Sequence, residues 1–440
     1  MERKFARGGK TPWLLAVAVW IAAFGLGSAA RAQVTIVYGD WQLAETVSSK
    51  PLLANIKKFM EENPGITVTP QPVAQGSRDV LYGTGIRAGK GPDVFVLDQQ
   101  PVTQYVDQNW IVDLSPYIAN EGGAKYLSDF YPAVMRTLAV GGKVYGIPNT
   151  VSIFLLFSNM TMLHAAGIAD PPKTWGEFRA DAIRLTKAST PGGVIDQWGY
   201  ALPLQLTGFN SRFPPFLFSW GGNLVSPDFK HSAMNSPQTR AAFEFQVDLA
   251  TKDKVEPPGT VSMDFDQTRQ LFAQNKLAFL FEPTSLVPNL QGIKPDIDLK
   301  QIRATALPFN PGEEAQSHTT LGYRAWFINA NSAHKDEAWK LIKFMADADQ
   351  VTTYYLGTAG LPARISVNFT LPQILNDPFA TESVAEIPRG EVAPQIRQWP
   401  QILNFVRLNA SAAISGSKTA DQAIADANAA IESLLQQAAP

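Results

Sequence analysis

The chain has 440 residues, no cysteine, four histidines, and 37 Lys and Arg against 39 Asp and Glu. Without thiols it makes neither disulfides nor thiolate metal sites. A net charge of −2 leaves no basic stripe for a phosphate backbone, so nucleic acid is not an expected partner. The length exceeds what one compact core supports and points to two lobes.

The first residues read as an export signal. Arg3, Lys4, Arg7 and Lys10 precede the uncharged residues 12–30. Ala30-Arg31-Ala32 then offers a small-x-small cleavage pattern that leaves Gln33 first. The uncharged run is also just long enough to span a bilayer, so an uncleaved anchor remains the other reading. With no cysteine to carry a lipid, the expected product is a free, soluble protein of the periplasm. Cleavage would leave 32 basic against 38 acidic residues.

Residues 34–39 are an apolar run short enough for a buried strand. A helix follows over 51–62, with Leu52, Leu53, Ile56, Phe59 and Met60 at helical spacing, and Asn63-Pro64-Gly65 stops it. Strands at 66–69 and 93–98 flank a helix over 77–87. Strand and helix alternate here as in a parallel sheet with crossover helices. In such sheets ligands bind beyond the carboxyl ends of strands, which places Asp40-Trp41-Gln42 and Asp98-Gln99 there. Further on, helices are expected over 175–187, 211–220, 238–251 and 336–346, and a strand over 198–202. Residues 279–283 and 304–308 read as strands returning to the first lobe. The last helix opens with Thr419 and Gln422, spaced as a capping box.

Gly142-Lys143-Val144-Tyr145-Gly146-Ile147-Pro148, Phe154-Leu155-Leu156-Phe157-Ser158-Asn159 and Pro171-Pro172-Lys173-Thr174-Trp175-Gly176-Glu177-Phe178 follow in order. Together they resemble the interlobe crossover of the maltose-binding-protein-like extracellular solute-binding proteins that serve ATP-driven importers. Gly91-Pro92-Asp93, Ser219-Trp220-Gly221-Gly222, Gln274-Asn275-Lys276-Leu277-Ala278-Phe279, Ala338-Trp339-Lys340-Leu341-Ile342-Lys343-Phe344 and Gly360-Leu361-Pro362-Ala363-Arg364 extend the likeness over nearly all of residues 33–440. The resemblance implies a two-lobed α/β binding-protein fold, each lobe a sheet flanked by helices. It also implies a carbohydrate ligand in the interlobe cleft, permease subunits of an ABC transporter as partners, a monomer, and no cofactor or catalysis. The implied partition is 33–148 in the first lobe, 149–283 in the second, 284–322 back in the first, and 323–440 in the second. Two departures concern the ligand: Gly322-Tyr323 replaces a frequent Gly-Gly, and Glu282-Pro283-Thr284 lacks the common Gly-x-Trp.

Sugars present a C–H patch that aromatic faces cover and hydroxyls that carboxylate, amide and Arg groups bond. On that chemistry the candidate ligand residues are Asp40, Trp41, Gln42, Arg87, Asp98, Gln99, Asn149, Trp220, Gly221, Glu282, Tyr323 and Arg324. Each has a plainer alternative. Trp41 and Trp220 can pack on a lobe surface, Tyr323 can pack in the hinge, Asp98 can cap a helix, and Arg87 can be a solvated helix-end residue. Trp175, behind the capping box of Thr174 and Glu177, is assigned to the core. Arg87 and Arg324 favour an anionic sugar derivative, whereas a cluster of Asp40, Asp98 and Glu282 favours a cation such as a polyamine. The scattered histidines lack ligand spacing. A glycan-cleaving carboxylate pair such as Asp264 with Asp266 is better read as solvated surface.

Overall fold

The computed structural model describes residues 33–74, 77–99, 102–188 and 190–437. The segment read as an export signal lies outside them. The described strands, in chain order, are β1 (Val34–Asp40), β2 (Ile66–Pro72), β3 (Val94–Asp98), β4 (Ala139–Val140), β5 (Lys143–Val144), β6 (Ile147–Ile153), β7 (Leu155–Asn159), β8 (Trp198–Tyr200), β9 (Leu277–Glu282), β10 (Ile302–Thr305), β11 (Thr319–Ile328), β12 (Leu361–Pro362) and β13 (Gly390–Glu391).

β1 pairs in parallel with both β2 and β3, the arrangement expected from the alternating start of the chain. β11 enters antiparallel between β3 and β6, and β12 closes the edge on β6. A second sheet runs in the order β10-β7-β9-β8. Among the described residues no helix is long and apolar enough to cross a membrane.

Strand pairing redraws the expected partition. β10, which the partition puts in the first lobe, pairs with β7 in the second sheet, and β9, read as a returning strand although the partition keeps 279–283 in the second lobe, pairs with the other edge of β7. All five residues of β7 are buried, so it needs a neighbour on each edge and cover on each face. Residues 323–328, expected in the second lobe, belong to β11 of the first sheet. The helices Lys335–Met345 and Ala348–Thr358 also lie on the first lobe: Phe344 meets Phe59 edge-on at 5.4 Å, and Asn55 Nδ2 donates to Gln350 O at 2.9 Å. Of the described helices after residue 323, Trp399–Ile414 and Ala420–Gln437 are the ones that join the second lobe's core.

The chain passes between the sheets at Phe154, the single residue separating β6 from β7. Thr319 Oγ1, at the start of β11, donates to Phe154 O at 2.7 Å, which ties a second connection to the first. The third is the stretch between β13 and the helix Trp399–Ile414.

Candidate ligand-binding site

The carboxyl ends of β1 and β3 meet the amino-terminal half of β11, bringing Asp40, Trp41, Gln42, Asp98, Gln99 and Arg324 together. Asp98 is the hub. Its Oδ2 receives Arg78 Nη1 at 2.5 Å, and its Oδ1 receives Trp41 Nε1 at 3.3 Å, with Arg324 Nε 3.6 Å away. The Arg324 guanidinium lies 5.1 Å from the Trp41 ring centroid and donates to Tyr354 Oη at 3.2 Å. Trp41 is thus fixed at its indole N–H by a carboxylate and on its ring by a cation, and it remains 8% exposed.

Asp40 is fully buried and spent on the fold. Oδ1 accepts from Gln42 N at 2.9 Å, starting the short helix Trp41–Ala44, and Oδ2 accepts from Tyr38 Oη at 2.8 Å. Tyr38 Oη in turn accepts from Trp326 Nε1 at 3.1 Å. Burial pushes the Asp40 carboxyl up to about 6. Gln42 is buried too, donating from Nε2 to Tyr354 Oη, and its Oε1 has no partner among the described residues. Gln99 likewise carries a buried, unpartnered Oε1, while its backbone N–H donates to Tyr323 O at 3.1 Å.

The other candidates stand elsewhere. Tyr323 is 4% exposed within the core, and burial pushes its phenol up to about 12. Asn149 is buried in β6 beside a crevice under the first-lobe helices, its carbonyl accepting from Ala363 N at 3.1 Å. The Arg87 guanidinium covers the Trp110 ring at 5.5 Å, at the end of its helix remote from the Asp98 cluster. Trp220 stacks on the buried Trp175 at 5.5 Å and packs against Phe245 at 4.9 Å, within the second lobe. Gly221 follows at φ +67°, where a Cβ would come within 3.3 Å of Gln316.

Glu282 ends β9 beside Leu155, the first residue after the crossover. It is 1% exposed, and two arginines occupy it: Arg212 reaches Oε1 from Nε at 3.1 Å and from Nη2 at 2.5 Å, and Arg269 Nη2 reaches Oε2 at 2.8 Å. Burial opposes ionisation here, yet the two guanidiniums hold Glu282 below the usual carboxylate range. Both guanidiniums lie over the Phe265 ring, at 4.5 and 4.7 Å. Two residues on, Thr284 Oγ1 donates to Ala359 O at 2.9 Å, joining this end of the second lobe to the first.

The free acidic cluster that would favour a polyamine is therefore not formed: Asp98 and Glu282 are each paired with arginines, and Asp40 is buried in a hydrogen-bonded cap. Sequence reasoning passed over Arg78, Arg212, Arg269, Phe265 and Tyr354. For Arg212 a signal existed, since a guanidinium amid Phe209, Phe213, Pro214, Pro215 and Phe216 is out of place unless paired.

Residues 44–352 match the family model described as bacterial extracellular solute-binding protein. A Brucella abortus binding protein is 23% identical over 97% of this chain and 99% of its own length. The multiple sugar-binding protein of Streptococcus mutans is 25% identical over 73% of each chain. Among solved structures, an ABC transporter solute-binding protein of Thermotoga lettingae bound with alpha-D-tagatose superposes at a TM-score of 0.78. It is 26% identical, covering 91% of this chain and all of that one. The maltose-bound MalE3 of T. maritima, at 23% identity and a TM-score of 0.77 over 91% of this chain and all of that one, has the same two-lobed fold.

Proposed function

The chain belongs to the bacterial extracellular solute-binding proteins, and we propose that it captures a sugar or sugar derivative between its lobes for delivery to an ABC transporter permease. It would act in the periplasm, as a monomer, by binding without turnover. The observation that carries this reading is the cluster at the carboxyl ends of β1 and β3. Trp41 is held there by Asp98 and Arg324, beside the unpartnered amide oxygens of Gln42 and Gln99. An aromatic ring among hydrogen-bonding groups suits the alternation of C–H faces and hydroxyls on a sugar. The sugar-bound relatives support the same ligand class.

Binding would start on the first lobe, and contacts added by the second would shift the population to a closed form. Glu282 and Thr284 stand at that edge of the second lobe. The test is a thermal-shift screen of the purified protein against mono-, di- and trisaccharides. A ligand at about 100 times its Kd should add roughly 2.7 kcal/mol of stability. Trp41→Ala should weaken binding of any hit at least tenfold. An unchanged affinity in that variant removes the Trp41 platform, and no shift with any sugar removes the sugar reading.

A further inference from the structure

The two interlobe clusters differ in their charge balance. On the first lobe two carboxylates, Asp40 and Asp98, face two guanidiniums, Arg78 and Arg324. On the second lobe one buried carboxylate, Glu282, serves two buried guanidiniums. Asp266 meets Arg269 Nη1 at 3.2 Å, but its side chain is 65% exposed, so much of its charge is answered by water. Inside the cluster the shortfall falls on Arg212, which shares Glu282 and has no carboxylate of its own. Arg269 Nε, also buried, has no hydrogen-bond partner among the described residues. Two buried cations that share one buried counter-charge are costly to keep, so the arrangement favours a further anion from outside the chain.

Its hydrogen-bonding capacity is not used up. The Arg212 guanidinium lies over the Phe154 ring at 5.9 Å and the Phe265 ring at 4.5 Å, and one edge is taken by Glu282. The remaining edge carries Nη1, whose described partner is the hydroxyl of Ser211, a half-buried residue. Of five guanidinium N–H donors, three are engaged. Phe154 is the crossover residue itself, so this edge lies where the lobes meet.

We propose that the ligand carries an anionic substituent, a carboxylate, phosphate or sulfate on a sugar, and that Arg212 on the second lobe receives it while Trp41 and its neighbours on the first lobe receive the ring. This rests on the sugar-binding reading above and narrows it. Arginine suits the role because its planar fork matches the oxygens of such groups. Because the anion completes the cluster from the second lobe, its binding and lobe closure are coupled.

The experiment is calorimetric titration of the purified protein with matched pairs: neutral hexoses and short oligosaccharides, their uronates and their phosphate esters. The anionic member of at least one pair is expected to bind ten times more tightly or better, with affinity falling as salt rises. Arg212→Gln should abolish that preference, costing the anionic member at least tenfold more than the neutral one. Arg212→Lys, which keeps the charge and loses the fork, is the second variant should the first not fold, and it should cost the anionic member fivefold or more. Neutral members binding as tightly as anionic ones, or an equal loss for both in either variant, overturns the proposal and leaves sugar binding in place. Absence of binding across both panels overturns the sugar reading itself.

Discussion

Glu256 carries the strongest unmet demand among the buried acids of the second lobe. It is 8% exposed, its Oε1 accepts from Gln246 Nε2 at 2.6 Å and Leu202 N at 3.4 Å, and its Oε2 has no partner among the described residues. Burial pushes its pKa up to about 8. Glu282, equally buried, goes the other way because arginines face it. In the fold Glu256 stays protonated up to about pH 8, whereas in the unfolded chain it ionises near 4.5. Its contribution to stability is therefore fully present below 4.5 and is lost as pH rises through 8. The wild-type melting temperature should fall between pH 5 and 8.5, and Glu256→Gln should flatten that slope and gain on the order of 3 kcal/mol at pH 8.5. Thermal melts of both proteins across that range decide it, and an unchanged slope in the variant would sink the assignment. At this scale the sequence was partly legible. Trp41, Gln42, Asp98 and Gln99 were singled out because strand ends mark a sheet's ligand side, and Arg324, singled out beside Tyr323, joins them from within β11. The partners that occupy Asp98 and Glu282 were not, since Arg212 and Glu282 lie 70 positions apart and no periodicity records such a pairing.

Among the helices, Trp175–Leu185 has the most fully specified start. Thr174 Oγ1 accepts from Glu177 N at 3.2 Å, and Glu177 Oε2 accepts from Thr174 N at 3.0 Å. Backbone N–H groups of Lys173 and Thr174 hold the Glu177 carboxyl below its usual range. The cap fixes the entry angle that drives Trp175 against Phe178, Phe216 and Phe281. Thr174→Ala should cost about 1 kcal/mol, read as a shifted urea midpoint at constant slope, and an unmoved midpoint would show that packing alone sets the helix start. This element was legible because its signals are local: a hydroxyl, a carboxylate three residues on, and an apolar stripe. The last helix was legible for the same reason, its reciprocal Thr419–Gln422 bonds lying where the spacing placed them. Sheet membership was not. β9 is buried on both faces, so it lacks the polar side that would distinguish one sheet from another, and the same apolar run suits either lobe.

For the whole molecule the question is what keeps the two lobes acting as one: the first lobe's core continues onto Leu155, Phe157, Leu280 and Ile302 of the second sheet, whose other face has a core of its own. The helix Pro378–Glu386 provides a link behind the crossover. Its Phe379 stacks on Phe157 of β7 at 5.8 Å with 18° between planes, and Glu382 Oε1 accepts from Ala306 N, just beyond β10, at 3.1 Å. The helix reaches these contacts from the first lobe, since the chain leading into it runs through Arg364, paired with Asp129 at 2.9 Å. A fixed contact behind the crossover, with the Asp98 and Glu282 clusters across the opening, is the layout of a hinge whose rotation is read at the cleft. Phe379→Ala removes the stacked ring and should cost about 3 kcal/mol, but the larger effect should be on cooperativity. Phe379 and Phe157 belong to the core that the two sheets share, so loosening it should change calorimetry from one two-state transition to a broadened or split one, with the calorimetric enthalpy exceeding the van't Hoff value. A ligand bound between the lobes, as proposed, would touch both of them and bind only the folded pair, so at saturation it should restore a single transition at higher temperature. A variant that still melts in one two-state step at the wild-type temperature would place the coupling in the three connecting segments and not in this helix.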